Sequence, residues 1–200
     1  MRNYREENRN AYDKKAHHYD HTFDGKFTEA FKDVLLANMS VRAHDSVLDV
    51  GCGNGTLLSK IAEKHTIQGF GVDLSPRMIQ HAKARFPQFA FVVSGCECIP
   101  FADHSMDIVT VCTAYHHFPD VDAFVREAKR LLKPNGALYI AEIHVSALLR
   151  PVANFLLPLS KGGDVKFYAS KEIIATFSQA GFHPVRVARE RHIQMLQFHT

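Results

Sequence analysis

The sequence carries little net charge and has no long uninterrupted hydrophobic run. Its 24 Lys and Arg residues against 21 Asp and Glu leave a formal charge of +3, which is too small to indicate binding to nucleic acid or to a membrane surface. The most apolar stretch, residues 145–159, is interrupted by Arg150, Pro151 and Pro158, so it is too short and too broken to cross a bilayer. The stretch Met1–Glu7 lacks the apolar segment of a signal peptide. We therefore expect a cytoplasmic protein with no stable membrane insertion and no nucleic-acid partner.

Cysteine is scarce, and its spacing excludes the common zinc motifs. None of the four cysteines stands in a C-x-x-C pair, and we expect free thiols in a reducing compartment; they are Cys52, Cys96, Cys98 and Cys112. Histidine is abundant, with 13 residues. However, the two adjacent pairs, His17-His18 and His116-His117, do not have the i, i+4 spacing of a helical metal site. No metal site is expected.

The stretch that organises the chain is Val47–Gly55, in which mostly apolar residues run into three glycines at alternate positions. A helical pattern follows, so this segment is predicted to be strand, tight turn and helix. Glycine permits a sharp turn and close approach of a ligand, and Asp49 places a carboxylate where the strand ends. No lysine follows in P-loop register, and Thr56 stands where a dinucleotide fingerprint has its third glycine. The spacing disfavours both of those sites, and a purely structural turn is the alternative.

A second carboxylate, Asp73, closes the next predicted strand and lies about 20 positions past Gly51, the spacing of a ribose-binding acid. At that distance the acid can accept hydrogen bonds from both ribose hydroxyls of an adenosine group. A helix cap is the alternative role for Asp73. However, Ser75 and Pro76 already supply an N-cap and a proline in the first turn of the following helix.

Strands alternate with helices along most of the chain, which predicts a doubly wound parallel sheet covered on both faces. The predicted strands are Val47–Val50, Ile67–Val72, Phe89–Val93, Asp107–Cys112, Ala137–Ala141, Val185–Ala188 and Ile193–Phe198. Two amphipathic helices, over 4–23 and 26–39, precede the first strand. The apolar stripe of the first helix, expected to pack on the core, consists of Tyr12, Ala16, Tyr19 and Phe23. Ser170 is predicted to cap the last helix.

Length and the absence of a linker predict a single domain over residues 1–200. We divide it into a helical cover, a cofactor-binding core, a substrate-side insertion, and a closing helix with a strand pair; these are residues 1–40, 41–145, 146–168 and 169–200. The insertion is apolar and follows the fifth strand, at the sheet edge where ligands bind in such folds. It is interpreted as a substrate lid or wall, with plain core packing as the alternative.

Five motifs together resemble the ubiquinone/menaquinone biosynthesis-type branch of the class I S-adenosylmethionine (SAM) dependent methyltransferases. They are Asn10-Ala11-Tyr12 through Tyr19-Asp20, Val47 to Gly55, Gly71 to Ser75, Cys96 to Phe101, and Leu131 to Gly136. The similarity extends from about Tyr12 to Phe198. It implies an α/β fold with a Rossmann-like seven-stranded sheet, its last strand antiparallel, N-terminal helices, and an insertion after the fifth strand.

The resemblance also implies the binding of SAM, with S-adenosylhomocysteine (SAH) as product, and a role for each matching residue. Gly51, Cys52 and Gly53 would hold the methionine part, with Asp49 close to it. Asp73 would bind the ribose, Leu74 would pack on adenine, and Gly95, Cys96 and Glu97 would lie along the adenine edge. Cys112 and Thr113 would face the sulfur, and Tyr12 and Tyr19 would cover the cofactor. Many relatives carry Asp or Asn at the position of Gly95, which cannot hold the adenine amino group through a side chain.

The resemblance implies methyl transfer from SAM to a small-molecule acceptor. The apolar residues of the insertion, over 146–159, favour an acceptor that is partly apolar. Alignment of donor and acceptor supplies most of the rate, and a general base is needed only if the acceptor loses a proton. His116 is the candidate base, with His117 and Tyr115 beside it. Two alternatives stay open: a SAM- or SAH-binding protein without turnover, and a nicotinamide-dependent oxidoreductase. The acceptor atom and the oligomeric state are not predicted.

Overall fold

A computed structural model describes residues 3–160 and 162–200. Met1 and Arg2, part of the stretch in which no signal peptide was expected, and Lys161 in the predicted insertion lie outside the described residues. Seven strands form one sheet. They are β1 Ser46–Val50, β2 Gln68–Asp73, β3 Ala90–Val93, β4 Met106–Cys112, β5 Leu132–Ile143, β6 His183–Glu190 and β7 Ile193–His199.

The strand order is β3-β2-β1-β4-β5-β7-β6. Strands β1 to β5 pair in parallel, whereas β7 runs antiparallel to both β5 and β6. The predicted seven-stranded sheet with an antiparallel last strand is confirmed. The chain leaves β1 toward β2 on one side and later returns to β4 on the other. The carboxyl ends of these three strands therefore form a crevice at a topological switch point, where ligands bind in open α/β sheets.

Helices cover both faces of the sheet. They are α1 Tyr4–Lys15, α2 Phe23–Asn38, α3 Thr56–Ala62, α4 Pro76–Arg85, α5 Val121–Leu131, α6 Arg150–Leu156 and α7 Ser170–Gln179. Apolar residues of α2, α3 and α4 pack on one face, and those of α5 and α7 on the other. Alternate residues of β4 enter the two cores, with Ile108 on one side and Val109 on the other. The nearly continuous apolar run of β4 follows from this burial on both faces.

The prediction of one continuous helix over residues 4–23 is wrong. Helix α1 ends at Lys15, a 3-10 segment spans Ala16–His21 with non-helical angles at His18, and α2 begins at Phe23. Thr22 is the cause, because its hydroxyl accepts a hydrogen bond from Gly25 N at 3.1 Å and so caps a new helix. Phe23, predicted to lie on the buried stripe, is 80% exposed.

Two smaller boundary predictions also differ from the structure. Strand β5 begins at Leu132, not Ala137. Its register shifts after Leu132, and Asn135 has φ of 63°, so the predicted turn is present as an irregularity within the strand. Ser170 does not cap α7. The Glu172 carboxylate accepts from the backbone N–H of Ala169 at 2.7 Å, while Ser170 Oγ donates to Gln194.

The insertion contains α6 and a 3-10 turn at Leu157–Leu159, and residues 162–169 have no regular secondary structure. Most of its large apolar side chains are exposed, among them Leu148 at 90% and Phe155 at 79%. Plain core packing therefore does not account for it. Among the described helices, none combines the length and the apolar character needed to span a membrane.

Candidate functional site

The glycine turn adopts the conformation for which glycine is needed. Gly51, Gly53 and Gly55 have φ of 76°, 51° and 81°, in the left-handed region that other residues rarely enter. A Cβ at Gly51 would lie 2.5 Å from Ala114 Cβ. The turn is fastened to β2, because Gly51 N donates to Val72 O at 2.8 Å. It therefore presents bare main chain to the crevice.

A cleft opens at the carboxyl ends of β1, β2 and β4, with a volume of about 960 Å³ when the space open to solvent is included. The thirteen residues predicted to bind the cofactor all line it. They are Tyr12, Tyr19, Asp49, Gly51, Cys52, Gly53, Asp73, Leu74, Gly95, Cys96, Glu97, Cys112 and Thr113. The structure thus brings together residues from six separate chain segments, while their individual contacts to a bound molecule stay predictions.

Asp73 ties the glycine turn to the start of α4. Its Oδ2 accepts from Gly53 N and its Oδ1 from Ser75 N, both at 2.8 Å. Ser75 Oγ in turn accepts from Met78 N at 3.1 Å, so the predicted N-cap is confirmed. An ionised carboxylate has about four lone-pair sites, so Asp73 keeps acceptor capacity on its cleft side. Burial raises the pKa of Asp73 above its ordinary value.

Asp49 is almost completely buried at the bottom of the cleft, with 2% exposure. Its Oδ1 accepts from Thr110 Oγ1 at 2.8 Å. Burial raises the pKa of Asp49 to about 7, although the Thr110 bond and the charge of Lys32 oppose the shift. A cation in the cleft would favour the ionised form of this group.

The space beside Gly95 is occupied by a charged pair. A Cβ at Gly95 would lie 2.3 Å from Glu97 Oε2 and 2.6 Å from an Arg5 guanidinium nitrogen. Arg5 comes from α1 and lies 3.7 Å from Glu97. The missing side chain therefore leaves room for α1 to reach the edge of the cleft. Arg5 was not predicted, because nothing in the sequence links it to this loop.

The N-terminal segment is held over the cleft by polar contacts. Asp20 accepts from Asn54 Nδ2 at 2.6 Å and pairs with Arg85 at 2.7 Å. The rings of Tyr12 and Tyr19 lie 6.0 Å apart, centroid to centroid, and both line the cleft. The cover is therefore fixed directly to the glycine turn through Asn54.

A second cavity adjoins the first and is larger; its volume is about 1820 Å³ when the space open to solvent is included. The two share Tyr12, Thr28, Thr113 and His117. The rest of its wall combines apolar residues with charged and polar residues of the N-terminal segment and of the insertion. They are Phe23, Phe27, Phe167, Ile143, Ala11, Glu7, Asn10, Lys14, Lys15, Asp24, His116, Ser160, Gly162 and Asp164. A molecule in this cavity would meet one in the first cleft near Thr113, whose φ of 52° is unusual for a residue other than glycine.

His116 lies at the wall of the second cavity, not in the first cleft. Its Nδ1 lies 2.8 Å from Glu142 Oε1, and its backbone N donates to Glu142 Oε2 at 3.1 Å. Its Nε2 lies 3.5 Å from an oxygen of Asp164. Burial disfavours the charged ring, but the Glu142 and Asp164 carboxylates outweigh it, and the pKa of His116 is raised.

His117 lies between the two cavities. Its Nδ1 is 3.3 Å from Asp164, and its Nε2 is 3.1 Å from the Tyr12 hydroxyl. Burial, with the charge of His116, lowers the pKa of His117 well below its ordinary value. Tyr115, which we also considered at the mouth of the site, is instead a core residue with 0% exposure.

Glu142 and Asp164 are the functional candidates that sequence reasoning missed. A glutamate within the apolar strand Ala137–Ile143 is a usable signal, because a buried carboxylate requires partners. Asp164 carries no such signal, since it stands in an irregular segment that only the fold brings to His116.

The comparisons with known proteins point to methyltransferases. Residues 48–140 match a family model described as a methyltransferase domain. The chain is 35% identical over 96 residues to the demethylmenaquinone methyltransferase of Chlorobaculum parvum, which covers 48% of this chain and 40% of that protein. It is 29% identical over 121 residues to the 27-O-demethylrifamycin SV methyltransferase of Amycolatopsis mediterranei, covering 58% of this chain and 44% of that one.

A solved complex of the Haloferax volcanii Trm112 methyltransferase activator with a methyltransferase contains a chain of the same fold. The comparison with that chain gives a TM-score of 0.83 at 21% sequence identity, and it covers 94% of this chain and 96% of that one. These findings support the resemblance to class I SAM-dependent methyltransferases of the ubiquinone/menaquinone type that the motifs indicated. It spans less than half the length of the two curated relatives described above.

Proposed function

We propose that this protein transfers a methyl group from SAM to a small-molecule acceptor. The observation that carries the proposal is the pair of adjoining cavities, one built of main chain and acids, the other lined by aromatic rings together with charged and polar side chains. Their shared wall at Thr113 and Tyr12 is where donor and acceptor would meet. SAM supplies a methyl group already activated on a sulfonium, so the protein needs chiefly to align the two reactants.

The first cleft suits SAM in shape and charge. The glycine turn leaves room for the methionine part against the backbone, and Asp49 offers a carboxylate to its ammonium group. Asp73 has spare lone pairs for the ribose hydroxyls. Gly95 offers no side chain to adenine. The neighbouring side chain at this edge of the cleft is Glu97, which pairs with Arg5 at 3.7 Å.

The second cavity suits an acceptor with an apolar or aromatic body and a polar reacting end. Phe23, Phe27 and Phe167 would contact the body, while His116, His117 and Asp164 would face its polar part. Two of the relatives are named for demethylmenaquinone and 27-O-demethylrifamycin SV, which are small molecules. The insertion, as part of this wall, would act as the substrate-side element. We expect a cytoplasmic location.

His116 is the candidate group for activating the acceptor. Glu142 supplies the partner acid that orients a catalytic imidazole, since it fixes Nδ1 and directs Nε2 toward the second cavity. Burial opposes the shift, but the Glu142 and Asp164 carboxylates raise the pKa of His116, so as a free base the ring would gain efficiency as the pH rises.

Calorimetry with SAM and SAH tests the donor half of this proposal. We expect one binding site for each, and no heat at millimolar ligand would contradict the proposal. Turnover is then followed as SAH release with a panel of hydroxylated aromatic and aliphatic molecules. Tight SAH binding with no turnover for any acceptor would favour the non-catalytic alternative. A fluorescence titration with NADH should show no binding; saturable binding there would favour the oxidoreductase.

A further inference from the structure

Three potential metal ligands converge at the wall of the second cavity. In the described part of the chain, donor atoms of His116, His117 and Asp164 lie within 4.8 Å of one another. The two histidines come from the 3-10 turn Tyr115–His117 after β4, and Asp164 comes from the insertion. The segments are joined by a backbone bond, because Val165 N donates to His116 O at 2.8 Å. The cluster is therefore built into the fold.

Both imidazoles are oriented by partners on their outer nitrogens. Glu142, which has 0% exposure, holds Nδ1 of His116 at 2.8 Å. The Tyr12 hydroxyl lies 3.1 Å from Nε2 of His117. Metal-binding histidines typically engage the remote nitrogen with a carboxylate or another polar group, which fixes the ring and its tautomer. Here both rings meet that condition, and their inner nitrogens face one carboxylate.

The spacing between donors also suits a small cation. The distances from Asp164 Oδ1 are 3.5 Å to His116 Nε2 and 3.3 Å to His117 Nδ1. Ligands at about 2.1 Å from a tetrahedral zinc ion are separated by about 3.4 Å. Two histidines with one carboxylate, leaving an open position, is a donor set found in catalytic zinc and non-haem iron sites.

We propose that His116 Nε2, His117 Nδ1 and the Asp164 carboxylate bind one divalent transition-metal ion beside the second cavity. With the ion bound, His116 Nε2 would be a ligand and not a base, and an acceptor with an oxygen donor such as a phenol, enol or alcohol would take the ion's open position. This role toward the acceptor rests on the proposed methyl transfer, whereas the metal site itself does not. The proposed metal site contradicts the expectation from the sequence that there is none. That expectation rested on the spacing of the two histidines alone, without Asp164.

The test is a Zn²⁺ titration of the chelator-treated full chain against a chromophoric chelator. Wild type should bind one ion, and His116→Ala and Asp164→Asn should each lose about tenfold or more in affinity. Glu142→Gln should lose affinity by about 10- to 100-fold, because it removes the partner of His116 Nδ1. The control His183→Gln alters an exposed histidine on β6 and should bind as wild type does.

Circular dichroism verifies the fold of each variant. If His116→Ala does not fold, Asp164→Asn carries the test, because that side chain is 20% exposed. No Zn²⁺ binding by wild type at about 10 µM, or equal affinity in Asp164→Asn, would overturn the site. SAH calorimetry in metal-free buffer separates the two proposals. SAH binding without Zn²⁺ binding rejects the metal site alone, and the converse rejects the proposed function alone.

Discussion

Replacing Asp73 with alanine is expected to weaken SAH binding by at least about tenfold, or 1.4 kcal/mol. Two of the lone-pair sites of this carboxylate accept from Gly53 N and Ser75 N at 2.8 Å. Asp73 lines the cleft, and its remaining sites would accept the two ribose hydroxyls. A hydrogen bond to a charged group contributes about 1.5–3 kcal/mol. A tenfold loss of SAH affinity therefore corresponds to the loss of no more than one such bond.

The same substitution also perturbs the free protein. It leaves two backbone N–H groups without their acceptor, which costs about 1–3 kcal/mol for each group that stays buried. Calorimetry with SAH must therefore be paired with urea unfolding of the ligand-free variant. Asp33→Asn is the matched control, because it removes an exposed acid on α2 and should change neither quantity appreciably.

The two measurements separate binding from structure. If Asp73→Ala lowers the free energy of unfolding but leaves SAH affinity within about twofold, the carboxylate serves only to fasten the turn. The ribose role would then be wrong, and with it the main reason for placing an adenosine group in this cleft.

Two further predictions concern the same turn and its buried acid. Gly51→Ala should lower the free energy of unfolding by about 2–4 kcal/mol for two reasons. The new Cβ would lie 2.5 Å from Ala114 Cβ, and the positive φ is strained for any residue with a Cβ. Gly53→Ala has positive φ but nothing within 4 Å, so it should cost only about 1–2 kcal/mol; equal losses in urea unfolding would refute the packing argument. Because the pKa of Asp49 is raised in the folded state to about 7, its contribution to stability is present at low pH and is lost as the pH rises toward 7 and above. Asp49→Asn should therefore stabilise the ligand-free protein more at pH 8 than at pH 5, while weakening SAM binding; a melting temperature that falls equally at both pH values would contradict this.

The order of strands and helices could be read from the sequence because it depends on local patterns. The period of apolar residues marks each element, and the glycines at 51, 53 and 55 mark a turn that needs left-handed angles. The predictions failed where a cap or a bulge decided a boundary. Thr22 splits the N-terminal helix, and Leu132 pairs with Met106 before the register of β5 shifts.

The chain by itself determined the fold class and the residues around the first cleft. In a parallel sheet the carboxyl ends of neighbouring strands must share one edge, so Asp49, Asp73 and Cys112 converge whatever the loops do. Only the tertiary structure decided the second site. His116, Glu142 and Asp164 stand on a turn, a strand and an irregular insertion, and no periodicity relates them. Their proximity follows from long-range packing, which brings the insertion back across the end of the sheet.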